Sequence, residues 1–152
     1  MSLVDATLKD GSPAQLALAD QQDIEPLRTP CRIIVDEGTS YPHDGFPDRD
    51  DFMDYWFRGK STVVAYVLDR PRDMGMIGAC YLKPNWPGRA RHVVNTGFIV
   101  ARDWRNKGLG WPLGDTMLAY AKHLGYRSVI FNRARMIHED FYCTADTPLR
   151  QA

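Results

Sequence analysis

The chain has 152 residues, in which 19 Lys and Arg balance 19 Asp and Glu, with 44% hydrophobic and 11% aromatic residues. That apolar content suits one compact domain with a sizeable core and excludes disorder throughout, while zero net charge gives no long-range pull toward nucleic acid or anionic lipid. Cys31, Cys80 and Cys143 show no CxxC or Cys/His spacing, so neither a disulfide framework nor a metal site is expected, and a reducing, cytoplasmic setting fits best. No window approaches the roughly 18 apolar residues of a membrane span and no secretory leader is evident, so a soluble protein is expected.

In chain order, Val4, Ala6 and Leu8 alternate with polar neighbours, Asp10-Gly11 interrupts, and Ala14, Leu16 and Leu18 alternate again, which reads as a hairpin. Thr29-Pro30 resembles a cap followed by a first-turn proline, predicting a short helix that ends at Gly38. Asp48, Asp50 and Asp51 suit the N-terminus of a second helix that carries Phe52, Tyr55 and Trp56 along one face and stops at Gly59. Ser61 to Leu68 and Met74 to Leu82 read as two antiparallel strands, and His92 to Val100 as a third, whose Gly97 hints at a bulge or a close approach.

That third strand runs through Arg105-Asn106-Lys107-Gly108-Leu109-Gly110 into a helical pattern with Leu113, Met117, Leu118, Ala121 and Leu124 on one face, ended by Gly125. A helix N-terminus offers unpaired N–H groups and the positive end of its dipole, and glycines let the main chain approach an anion without a Cβ in the way. Arg105 and Lys107 are expected to add positive charge there. Neither established nucleotide loop fits. GxxxxGK[ST] is absent, since neither Gly108 nor Gly110 is followed by Lys and Ser or Thr, and GxGxxG would need a glycine where Leu113 stands.

The same letters, RNKGLG, form an RxxGxG pattern. Together with the apolar strand Phe98 to Val100, the amphipathic helix, Gly125-Tyr126 and the strand Ser128 to Asn132, they resemble the acetyl-CoA motif of the GNAT N-acetyltransferase superfamily. TLKDG at Thr7 to Gly11, Tyr41-Pro42, DYWF at Asp54 to Phe57 and the stretch Lys83 to Val100 are similar to the fungal N-acetyltransferases that act on proline analogues such as azetidine-2-carboxylate. The resemblance implies an α/β (α+β) fold, with a mixed, mainly antiparallel sheet flanked by helices. It implies acetyl transfer from acetyl-CoA to the amine of a small molecule by direct attack in a ternary complex. It assigns the pyrophosphate to the amides of Arg105, Asn106, Lys107, Gly108, Leu109 and Gly110, and the pantetheine arm to Phe98, Ile99 and Val100. Asn95 and Asn132 match amides at the reaction centre that orient the substrate or its carbonyl. An amide is no base near neutral pH, so the base stays unassigned.

After Asn132 the chain no longer resembles the family. Residues 1–132 are expected to form an incomplete domain and 133–152 a divergent tail, with the usual closing helix and strands truncated or altered and an apolar sheet face and edge exposed. This leaves open a non-catalytic acyl-CoA-binding or dimerising remnant. A protein or histone acetyltransferase is a further alternative, which neutral charge disfavours. A small-molecule partner is expected, without nucleic acid or membrane, and homodimerisation stays open. His43, His92, His123 and His138 lack metal-ligand spacing, and Tyr55, Trp56 and Phe57 read as core, with Tyr41 or Trp56 as the residue that would line an acceptor pocket. Tyr120 lies on the helix after the loop, where the resemblance implies, for some members of the family, a tyrosine acid for the departing thiolate. Cys80 reads as a small core residue.

Overall fold

The computed structural model describes residues 4–131 other than 42, 69 and 71. Its helices are α1 (Ile24–Glu37), α2 (Arg49–Trp56), the single turn α3 (Arg72–Gly75) and α4 (Gly110–His123). Six strands, β1 (Val4–Thr7), β2 (Pro13–Leu18), β3 (Ser61–Val67), β4 (Met76–Pro84), β5 (Val93–Val100) and β6 (Ser128–Phe131), lie side by side in chain order. Neighbours are antiparallel until β5 and β6, which run parallel because α4 carries the chain back across the sheet between them. The α/β architecture expected from the sequence is the one observed.

The sheet is covered on both faces. Val63, Ala65 and Val67 of β3 join Leu113, Met117 and Ala121 of α4 in one core, while Val64 and Tyr66 join Leu27, Cys31 and Ile34 of α1 and Phe52 and Trp56 of α2 in the other. A strand buried on both faces has no polar side, which is why β3 reads as an unbroken apolar run. A register shift opposite Ala65 and Tyr66 turns Ile77 to the α4 side, where Cys80 and Leu82 also point.

Several boundaries differ from the sequence reading. Helix α1 starts at Ile24, so Pro30 lies inside it rather than at its first turn. An interior proline costs ~3 kcal/mol, but the buried stripe Ile24, Leu27, Cys31 and Ile34 outweighs it, since each fully buried Leu or Ile contributes about 1.5–3 kcal/mol. The 3-10 turn Gln21–Asp23 that leads into α1 carries a capping box, in which Gln22 N–H donates to the Asp20 carboxylate at 2.8 Å and Asp20 N–H to that of Asp23 at 2.7 Å. Buried Asp23 also accepts from the Tyr66 hydroxyl, which ties this end to β3. Met74 and Gly75 belong to α3 rather than to β4, and Leu124 lies exposed beyond the end of α4. The acidic start of the second helix is observed, with Asp48 accepting from Asp51 N–H at 2.9 Å.

Candidate functional site

Strand β5 leaves the sheet through a 3-10 turn at Arg102–Trp104 and enters the glycine-rich loop. Asn106 and Gly108 have φ of 65° and 88°, and left-handed residues at alternate positions turn successive N–H groups into one concavity. The main-chain N–H groups of Asn106, Lys107, Gly108, Leu109 and Gly110 donate to no acceptor among the described residues. Five consecutive main-chain donors from which no described residue accepts, at the start of a helix, make a ready cradle for an anion. The loop is nevertheless anchored. Leu109 is 1% exposed and packs into the α4-side core, and Gly78 of β4 leaves it room: a Cβ there would lie 2.8 Å from Leu109 Cδ2. A cleft of about 540 Å3 opens over the loop, bordered by Lys9, Val100, Trp104, Gly108, Gly110 and Trp111. A donor-lined cleft whose glycines present bare backbone fits a diphosphate.

Arg105 and Lys107, expected to add positive charge beside this loop, are both engaged by carboxylates. Arg105 is held by both oxygens of Glu37 at 3.2 and 2.7 Å, joining the loop to the end of α1. The hydrogen bonds from Arg105, then its charge and that of Arg102, hold the Glu37 carboxyl below its ordinary value. Lys107 lies 3.2 Å from Asp10 and 4.2 Å from the centre of the Trp104 ring. Each cation therefore shapes the loop. Sequence reasoning missed Lys9, although it lies within the TLKDG stretch, because nothing local shows which strand tip meets the loop.

The edge of β5 beside this cleft is fixed by hydrogen bonds at its two ends. Asn85 N–H donates to Val93 and Ala101 N–H to Ile77, so the odd-numbered residues of β5 turn their backbone toward β4. By alternation, Phe98 and Val100 turn theirs the other way, and β6 pairs only with Val93–Thr96 among the described residues. Phe98 and Val100 thus offer N–H and C=O groups along an edge that no described residue covers. Ile99 does not: its backbone faces β4, and its side chain, 3% exposed, packs with α1 and α2. Asn95 shares that face of β5, opposite Lys83 on β4, and its half-buried carboxamide has no hydrogen-bond partner among the described residues. Asn132 lies outside the described residues.

On the α1–α2 face, aromatic rings gather beneath β5. Gly97 sits in unbroken register, so it is no bulge; the Tyr81 ring occupies the place its side chain would fill, 2.7–2.9 Å from an ideal Cβ. The Tyr81 hydroxyl lies 3.2 Å from that of Tyr55, whose ring meets His43 edge-on at 4.8 Å. Burial, then the hydrogen bond with Tyr55, pushes the Tyr81 phenol well above its ordinary value. The Tyr41 hydroxyl and His43 Nδ1 are buried without hydrogen-bond partners among the described residues. A cavity of about 370 Å3 next to this cluster is lined by His43, Asp51, Asp54, Tyr55, Lys60 and Lys83. Trp56 is buried and packs on Tyr81, as core, whereas Tyr41 borders a neighbouring cavity. Cys31 on this face and Cys80 on the α4 face are both buried, and desolvation raises both thiols, which disfavours their thiolates. Tyr120 stacks on His123 and packs against the α4-side core.

A family model described as Acetyltransferase (GNAT) family matches residues 24–140. N-acetyltransferase aca1 of Schizosaccharomyces pombe is 30% identical over 110 residues, covering 64% of this chain and 53% of that protein, so the match spans about half of the relative. Among solved structures, a GCN5-related N-acetyltransferase from Kribbella flavida is 27% identical with a TM-score of 0.67, covering 76% of this chain and 69% of that one. A GNAT superfamily phosphinothricin acetyltransferase from Sinorhizobium meliloti, solved in complex with AcCoA, shares the fold at 22% identity and a TM-score of 0.66, with coverage of 78% and 64%. The chain belongs to the GNAT acetyltransferase family.

Proposed function

We propose that this chain transfers acetyl from acetyl-CoA to the amine of a small imino acid of the proline-analogue class, by direct attack in a ternary complex. The observation that carries the reading is the run of five amides, Asn106 to Gly110, that have no acceptor among the described residues, next to the stretch of β5 that no described strand covers. These amides take the diphosphate, and the backbone of Phe98 and Val100 pairs with the peptide-like pantetheine arm as an added strand would. When bound, acetyl-CoA supplies the acetyl group as a thioester. Ile99 contributes through the core, holding the edge in place, and an N–H of that edge polarises the carbonyl.

Acceptor recognition falls to the opposite face. Lys60 and Lys83 with Asp51 and Asp54 line one cavity, and a lining that carries both signs of charge suits a zwitterion. Burial first, and the Lys83 charge second, holds the Lys60 ammonium below its ordinary value, a cost that an incoming carboxylate would relieve. Asn95, and Asn132 beside it in the family pattern, orient the acceptor or the carbonyl. Tyr81 stays protonated at neutral pH and serves as a hydrogen-bonding group rather than a base. The buried, unpaired Cys31 and Cys80 support a cytoplasmic setting.

The test is thiol release from acetyl-CoA by the purified chain with azetidine-2-carboxylate, proline, unrelated amines and basic peptides, alongside calorimetry with coenzyme A. Release with the imino acids is the expected result. Binding without release to any acceptor would mark a non-catalytic remnant, and release with peptides alone would mark a protein acetyltransferase.

A further inference from the structure

Lys9 stands at the tip of the β1–β2 hairpin, remote in sequence from the glycine-rich loop yet packed on it. Its N–H donates to the Lys107 carbonyl at 2.8 Å, and its stem crosses Gly108 so closely that an ideal Cβ there would lie 2.7 Å from Lys9 Cγ and 3.3 Å from Cε. Lys9 is thereby a wall of the same cleft that presents the five unfilled donors. The other cations of the loop are already engaged, Arg105 by Glu37 and Lys107 by Asp10, whereas Lys9 has no carboxylate partner among the described residues. Amides alone offer partial charges, and a doubly charged diphosphate leaving water gains from a full, unpaired cation at the rim.

We propose that Lys9 is a cofactor-binding residue whose ammonium contacts the diphosphate of coenzyme A, supplying from the hairpin the charge that Arg105 and Lys107 spend on the loop itself. This rests on the acetyl-CoA reading above. The division of labour has a physical logic. Paired cations hold the turn rigid whether or not ligand is present, and the exposed lysine adjusts its flexible stem to the phosphate oxygens as they arrive.

The test compares the full chain with Lys9→Met, which keeps most of the stem over Gly108 and removes the charge, and with Lys9→Arg. The main-chain bond to Lys107 survives in both. Calorimetry is run with coenzyme A, 3′-dephospho-coenzyme A and pantetheine. Lys9→Met should weaken coenzyme A and its dephospho form alike by about tenfold, leave pantetheine binding unchanged, and flatten the salt dependence of coenzyme A binding, with Lys9→Arg near the parent. Equal affinity of parent and Lys9→Met for coenzyme A would overturn the proposal and leave the acetyl-CoA reading intact. A loss confined to coenzyme A itself would move the contact to the 3′-phosphate and also overturn it. Failure of the parent to bind coenzyme A would overturn both.

Discussion

Arg105 of the loop and Glu37, the last residue of α1, form a two-oxygen ion pair at 3.2 and 2.7 Å across the top of the sheet. The pair favours the carboxylate, so the folded value of Glu37 lies below 4.5 and its contribution is complete at neutral pH, fading as pH falls through that lower folded value. Glu37→Gln should lower the melting temperature at neutral pH, and the gap to the parent should close as the solution is taken below that value. Melting curves over a pH series check this. A gap independent of pH would assign the effect to packing.

Gly108 and Gly110 should respond differently to valine. At Gly108, φ is 88° and the Lys9 stem blocks a side chain, so Gly108→Val should cost roughly 1–3 kcal/mol of stability as well as coenzyme A binding. At Gly110 a Cβ would meet nothing within 4 Å, so Gly110→Val should melt close to the parent yet lose coenzyme A affinity on the order of a hundredfold. Unchanged affinity in Gly110→Val would refute the loop as the anion site.

Gly97→Ala places a Cβ 2.7 Å from the Tyr81 ring, which must swing away and surrender its 3.2 Å contact with Tyr55. The expected loss is about 1–3 kcal/mol from overpacking, together with a raised KM for the acceptor. Tyr55→Phe breaks the same hydroxyl contact without crowding and should raise that KM at a cost of only about 1 kcal/mol. Steady-state kinetics beside denaturant titrations separates the two. An unaltered acceptor KM in both variants would remove the aromatic cluster from the acceptor site.

Asn95→Ala should reduce kcat by about tenfold or more while leaving coenzyme A affinity within about twofold of the parent. Its carboxamide has no hydrogen bond to a described residue, so its removal breaks no hydrogen bond among them. Parallel losses of turnover and cofactor affinity would show that Asn95 supports the strand instead.

What was legible in the sequence was whatever is local along the chain. The turn from β5 into α4 announces itself because glycines, a basic residue and an amphipathic helix follow one another within a few positions. Strands β3 to β5 announce themselves through β-branched and aromatic runs. The start of α1 was misread because Thr29-Pro30 obeys the local capping rule, while the burial that carries the helix through Pro30 is a tertiary effect. Arg105 and Glu37 stand 68 positions apart, and no pattern in either neighbourhood says that one neutralises the other. The same holds for Lys9 and Lys107, and for Gly97, whose purpose is visible only once the Tyr81 ring is seen to lie on it.

The hydrogen bond from Lys9 N–H to the Lys107 carbonyl fastens the outermost strand pair to the glycine-rich turn. Border strands fray first, so deuterium uptake at the Lys9 amide should act as a built-in gauge of how firmly that turn is set. Slower uptake at this single amide on adding ligand would report tightening far from any reacting atom, in a segment synthesised before the turn it secures.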